Sequence, residues 1–360
     1  MFAKRNLFFA GIPFALDASD SASLYADMGT NYTICGNLQK AEKNYSIARK
    51  LFKRIDDKGN LARLITNMGV MHARNSNFYQ ASECYVEALE ICDKMNDNES
   101  IAGIYQNMGE VMALQKQYDK AVGYFNSALN KFEKLDRQIP MAGLYLNLGQ
   151  IYIEQKQWDV AKHYLNKSYV IDTTFKLENF ESIALKLLGI TYLRIGKLES
   201  AERLIGEALR MQKVNGYFTL IGQTTTMLAE VYFEQGRLTE ALTLLNEAEI
   251  LALKSGDDGL LANILALKSK ILALLKQFEE AYGALRQSRQ IEDSIFNIEK
   301  SKSIMNLELA YQTEKKEKQE NNQSFNTIRK RVEMFGGSCE ISSQPGEGIF
   351  LKTSIPFKVI

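Results

Sequence analysis

"LITNMGVMH" at residues 64–72 returns, shifted by 40 residues, as "IYQNMGEVM" at 104–112 and again as "LYLNLGQIY" at 144–152. Further steps of the same size add "LYADMGTNY" at 24–32, "ALKLLGITY" at 184–192, "TTTMLAEVY" at 224–232 and "ILALKSKIL" at 264–272, so seven copies follow one another without a gap. One column reads Gly29, Gly69, Gly109, Gly149, Gly189, Ala229, Ser269. A second is alanine throughout, at Ala41, Ala81, Ala121, Ala161, Ala201, Ala241 and Ala281, and a third reads Ala48, Ala88, Ala128, Ser168, Ala208, Ala248, Ser288. Between the small columns stands one large apolar residue per copy: Leu38, Phe78, Tyr118, Trp158, Leu198, Leu238, Phe278.

Columns that admit only small side chains, held in phase over the whole array, describe helices in close contact. Small residues such as Gly69 and Ala81 let two antiparallel helices approach, and the large residue near the turn (Phe78 in that copy) is expected to plug the space beside the pair. Polar stretches such as "RNSN" at 74–77 and "EQKQ" at 154–157 separate the two helical patterns of each copy. This arrangement resembles the tetratricopeptide repeat family from about residue 22 to 300. The resemblance implies an all-α, right-handed superhelix of about seven helix pairs. The family's common unit is about 34 residues, so a 40-residue unit implies longer helices. The same long period occurs in tetratricopeptide sensor and regulator proteins.

Composition narrows the function. A chain of 360 residues exceeds one ordinary globular core, and 46% hydrophobic with 24% charged residues is a globular composition. The formal charge of +1 offers no field for nucleic acid. Cys35, Cys84, Cys92 and Cys339 show neither metal-ligand spacing nor a disulfide framework, and no cofactor is signalled. No stretch approaches the roughly 18 apolar residues of a membrane span. Residues 1–21 admit two readings. Lys4-Arg5 before "NLFFAGIPFAL" resembles the opening of a secretory signal and would place the chain in the periplasm. Otherwise the segment is the remnant of a helix and the chain is cytoplasmic.

In a repeat solenoid the first helix of each pair lines the concave face. There Asn67, Asn107 and Asn147 recur at 40-residue spacing, and such amides can pair with an extended peptide backbone. They can equally bond to the adjacent turn within the array. Gln106, Glu110, Gln150, Glu154 and Glu230 add polar groups to the same face. The family resemblance implies a protein or peptide ligand in this groove. His72 stands in a column otherwise filled by Tyr32, Tyr152, Tyr192 and Tyr232, and is read as a packing residue, with His163 a structural or surface residue. No nucleophile, acid–base pair or metal set can be assembled.

After residue 300 the repeat decays. Ile304, Leu307, Leu309 and Tyr311 are expected on a capping helix that closes the array within 301–321, running into a charged linker. Residues 322–360 then change character: a helical turn through Ile328, Val332 and Phe335, a Gly336-Gly337 stop, and two strands expected at 338–342 and 349–355 around a Pro345-Gly346 turn. This α-β-β fragment resembles the carboxyl end of the ATP-binding domain of sensor histidine kinases. Arg331, Gly336, Gly337, Gly346 and Gly348 stand in matching places. In Bacteroidetes-type sensor kinases a tetratricopeptide array precedes such a domain. Here, however, Asn322-Gln323-Ser324-Phe325 replaces the glycine-rich lid, the upstream asparagine box is missing, and no histidine lies between 164 and 360 to accept phosphate. A non-enzyme is therefore expected: a binding module derived from a sensor kinase, with a histidine kinase or response regulator among its candidate partners. A degenerate kinase completed by a partner, or a peptide-responsive regulator, are the alternatives.

Overall fold

The computed structural model describes residues 17–297, 338–344 and 348–354. The first segment is helical throughout, and each helix begins twenty residues after the one before. In chain order these are α1 (Ala18–Ile34), α2 (Leu38–Arg54), α3 (Lys58–Arg74), α4 (Phe78–Met95), α5 (Asn98–Leu114), α6 (Tyr118–Lys134) and α7 (Gln138–Glu154). They continue as α8 (Trp158–Phe175), α9 (Glu178–Arg194), α10 (Leu198–Asn215), α11 (Phe218–Glu234), α12 (Leu238–Ser255) and α13 (Asp258–Leu274), with a further helical stretch over 278–297. Each helix of 17 or 18 residues is about 25 Å long.

The turns explain the beat. Every twentieth residue from 36 to 276 has a positive φ, as at Gly36, Asp56, Ser76 and Lys156. At Lys156 the left-handed residue donates its N–H to the Ile153 carbonyl (2.9 Å), and Gln157 donates to Tyr152 (2.8 Å), which satisfies the orphan carbonyls at the end of α7. The side chains of Asp17, Asn37, Asp57, Asp97 and Asp257 then accept from the first turn of the next helix. Two or three residues thus end one helix and start another.

Consecutive helices pack in antiparallel pairs, and pair packs on pair, as the repeat columns require. Odd-numbered helices also touch the odd-numbered helix of the next repeat, whereas no comparable contact joins the even-numbered ones. The first helix of each pair therefore lies on the inner side of the curve. This is a tetratricopeptide solenoid, as the columns predict.

The glycine column has a direct cause. A Cβ added at Gly29, Gly109 or Gly149 would stand 2.5 Å from the Tyr45, Phe125 or Leu165 side chain sixteen residues on, and Gly69 and Gly189 meet Tyr85 and Ile205 in the same way. Those large residues are almost fully buried. The turn-proximal Leu38, Phe78, Tyr118, Trp158, Leu198 and Leu238 are partly buried, whereas Phe278, of which the same plugging role was expected, is 68% exposed. Turn-proximal side chains pack beside the pair, whereas the residue sixteen positions after the small one lies between its helices. The alanine columns are buried throughout, and the two serines that interrupt the third donate across the pair, Ser168 to the Ala142 carbonyl (3.0 Å) and Ser288 to that of Ala262 (2.9 Å).

One buried column changes chemistry along the array. Its members are Phe52, Cys92, Phe132, Asp172, Gln212 and Ala252. Asp172 is wholly buried, accepts from Ser168 Oγ at 3.0 Å through Oδ2 and leaves Oδ1 without a partner; burial raises its carboxyl to about 6. Gln212 makes one long contact to Ser182 Oγ (3.5 Å), and Gln212 Oε1, Thr224 Oγ1 and Thr225 Oγ1 also lack partners.

The chain divides into two units, Met1–Glu299 and Lys300–Ile360. Within the second, β1 (Ser338–Gln344) pairs antiparallel with β2 (Gly348–Ser354), from Ser338 opposite Ser354 to Gln344 opposite Gly348. Both strands fall where the sequence places them, and β1 runs two residues further. The signal-like residues 1–16, the expected capping helix with Ile304, Leu307, Leu309 and Tyr311, the helical turn at 328–335, and Arg331, Gly336, Gly337 and Gly346 lie outside the described residues. Among the described residues no helix is long and apolar enough to cross a membrane.

Candidate functional site: the groove of the odd-numbered helices

Asn67, Asn107 and Asn147 occupy the same position on α3, α5 and α7, and all three are half-buried. Three residues on, the same helix faces carry Glu110 and Gln150, and a further turn along α7 carries Glu154. A cavity of about 480 Å³ between α5 and α7 brings Glu110, Asn147, Gln150 and Glu154 together, with Tyr118 and Leu114 in its wall. Asn147 Nδ2 donates to Glu110 Oε1 at 3.3 Å, and Gln106 Nε2 donates to the same oxygen at 3.0 Å. These amides therefore bond to a carboxylate of a groove helix rather than to a turn. The side chains of Asn67 and Asn107 have no hydrogen-bond partner among the described residues and, like Gln106, do not line this hollow.

Glu230, on α11, stands further along and forms an ion pair with Arg194 (2.7 Å). Arg194 in turn lines a second and larger hollow of about 870 Å³, walled by α7, α9, α11 and the start of α13. Gln150 and Glu154 border both hollows, so the groove is continuous from α5 to α13.

The larger hollow was not anticipated from the sequence. Its floor is Ile183, Leu187, Ile190, Met227 and Leu260, with Trp158 beside it, and Lys186 projects from the same wall. Leu187 and Met227 stand in the asparagine column. Comparing copies for what they share hides this stretch, and the signal that could have found it is the place where the asparagine column breaks. Lys186 is half-buried, and desolvation lowers its ammonium below the usual lysine value. The histidines take other places. His72 is half-buried in α3, where burial lowers its pKa against the opposing pull of Glu42 and Glu83, and His163 stands edge-on to Tyr164 (5.5 Å) beside a separate hollow of about 590 Å³. Among the described residues no cluster of histidine, cysteine and carboxylate side chains could hold a metal. Cys92 is buried, and burial of Cys84 raises its thiol to about 11, which keeps it a poor nucleophile.

A tetratricopeptide solenoid with a continuous inner groove is thus the class that fold and geometry define. The chain belongs to the MalT-like TPR region family, whose model matches residues 17–288. It matches none of the curated proteins. Solved structures share the fold. The sensor-bearing signal transduction ATPase with numerous domains from Pyrococcus horikoshii aligns at a TM-score of 0.63 and 14% identity over 77% of this chain and 43% of that one. Aspartyl phosphate phosphatase F from Bacillus subtilis aligns at 0.54 and 12% identity over 78% and 95%. A Rap protein complexed with competence and sporulation factor aligns at 0.54 and 13% identity over 77% and 79%.

Proposed function

We propose that the chain is a non-catalytic module that binds a peptide or an extended protein segment along the inner groove, and that it serves signal transduction. The carrying observation is the row of equivalent half-buried amides, Asn67, Asn107 and Asn147, the last of which lines a hollow together with Glu110, Gln150 and Glu154. An amide offers a donor and an acceptor together, which is what an extended backbone requires at each step. Helices about 9 Å apart would contact every third residue of such a chain. That a fold relative is a Rap protein complexed with competence and sporulation factor supports ligand binding by this architecture. Derivation from a sensor histidine kinase is supported by the match of Arg331, Gly336, Gly337, Gly346 and Gly348 to the end of that ATPase domain, so a kinase or response regulator is a candidate partner.

The test is selection of short random-sequence peptides on the full chain, followed by Asn107→Ala and Asn147→Ala. Both substitutions should weaken retention of the selected peptides while leaving the melting transition nearly unmoved. Loss of stability with retention intact would make the amides structural.

A further inference from the structure

We infer that the carboxyl-side half of the groove selects an acidic side chain on the bound peptide, received by Lys186 and flanked by aliphatic residues; this rests on the reading of the groove as a peptide site. Lys186 is singled out by what it lacks. The other cations set into the array are matched: Lys268 pairs with Glu249 at 2.6 Å, Arg49 with Glu87 and Arg194 with Glu230. Lys186 has neither a hydrogen bond nor an ion pair with any described residue. Glu154 and Asp257 line the same hollow, but neither pairs with it.

An ammonium drawn partly out of water without an acceptor is unfavourable, and the loss of hydration depresses its pKa. The hollow also holds Gln150, Gln223 and Asn263, but none of them bonds Lys186, and the side chains that share its stretch of α9 in the wall are Ile183, Leu187 and Ile190. A carboxylate arriving in this hollow would recover a charge-assisted hydrogen bond in a site partly withdrawn from solvent. The aliphatic floor would take the flanking residues of the same strand. Glu154 and Asp257 repel acid elsewhere in the hollow, so the preference is confined to one register of the peptide.

The experiment uses the full chain and random peptides acetylated and amidated at their ends, so that only side chains carry carboxylates. The wild type should enrich Asp or Glu beside large aliphatic residues. Lys186→Met should weaken the best of these peptides about tenfold or more. Lys186→Arg should keep the acidic preference and Lys186→Glu should turn it towards Lys and Arg, with melting curves confirming that each variant is folded. Three outcomes overturn the inference. If selected peptides lose affinity on Asn147→Ala but show no acidic preference, or bind Lys186→Met as well as wild type, the acidic pocket fails while the peptide groove stands. If a parallel library with free carboxyl ends is enriched and the blocked one is not, the terminal carboxylate is the occupant and the side-chain assignment is wrong. If neither library is retained by the wild type, the groove reading falls and takes this inference with it.

Discussion

From α2 to α7 the buried column holds Phe52, Cys92 and Phe132 while the groove column holds Asn67, Asn107 and Asn147. From α8 to α11 the two exchange character: Asp172 and Gln212 are buried, and Leu187 and Met227 face the groove. The small columns and the buried large residues opposite them run through both regions unchanged. Close approach of helices therefore sets the fold, and the remaining columns are free to trade core stability for groove chemistry. The region with the apolar hollow also holds four of the unpartnered buried polar atoms, on Asp172, Gln212, Thr224 and Thr225, against two on Arg49 and Gln80 in the first region.

The sharpest way to break this comparison is to remove the buried carboxyl. The folded pKa of Asp172, about 6, lies above its ordinary 3.8. Its contribution is thus fully present below about pH 4, is lost as pH rises through that interval, and leaves a constant penalty above it. Asp172→Asn should accordingly be more stable than the wild type by about 2–3 kcal/mol at pH 8 and nearly equal to it at pH 4, measured by denaturant unfolding. Equal stability at pH 8 would mean that water or a rearranged donor satisfies the carboxylate.

A second test asks whether one scaffold underlies both regions. Gly109→Ala drives a Cβ into the Phe125 ring, and Gly189→Ala drives one into Ile205. Each should cost about 1–3 kcal/mol through overpacking, as should Ala121→Leu or Ala161→Leu in the adjoining column. Gly123→Ala, on the same α6 but facing open space, should be neutral or stabilising by up to about 1 kcal/mol. A large cost in one region alone would show that the small column is enforced only there.

The turns give a smaller contrast of the same kind. Positive φ falls on non-glycine residues from Asp56 to Lys176 and on Gly196, Gly216, Gly236 and Gly256 after them, with Gly36 and Lys276 breaking the pattern at the two ends. Lys156→Gly should stabilise by about 1 kcal/mol, since glycine adopts this conformation without the Cβ clash, and Gly196→Lys should lose a similar amount. No change at either site would imply that the turn hydrogen bonds alone fix the backbone.

The helix pairs were legible because periodicity and steric exclusion act on local sequence. A position that can hold only glycine or alanine betrays its neighbour, and thirteen turns at twenty-residue steps leave little room for another register. Tyr45, Tyr85, Phe125, Leu165 and Ile205 escaped notice because their column tolerates any large apolar residue, so it shows no repeated letter. The groove was half legible for the same reason. Repetition exposes Asn67, Asn107 and Asn147, whereas Lys186 and the aliphatic floor occur once, and nothing in a single copy distinguishes them from solvent-facing residues of a helix. Asp172 reads as an ordinary surface acid until its column places it beside Phe52 and Phe132.

The smallest effect is expected at the far end of the chain. β1 and β2 make one two-stranded sheet, seven residues against seven, which by itself buries too little surface to be stable. Removing residues 322–360 should then leave the melting temperature of the repeat array within a few degrees of the full chain. The same segment carries Asn322 and Ser324 where the resembled kinase domain needs glycines to bring its backbone against phosphate. Titration of the full chain with Mg-ATP should give no saturable signal by calorimetry. Binding in the micromolar range would restore a nucleotide site to this end and overturn the reading of the chain as a non-enzyme, and a drop of many degrees on truncation would show that the array depends on the segment for its stability.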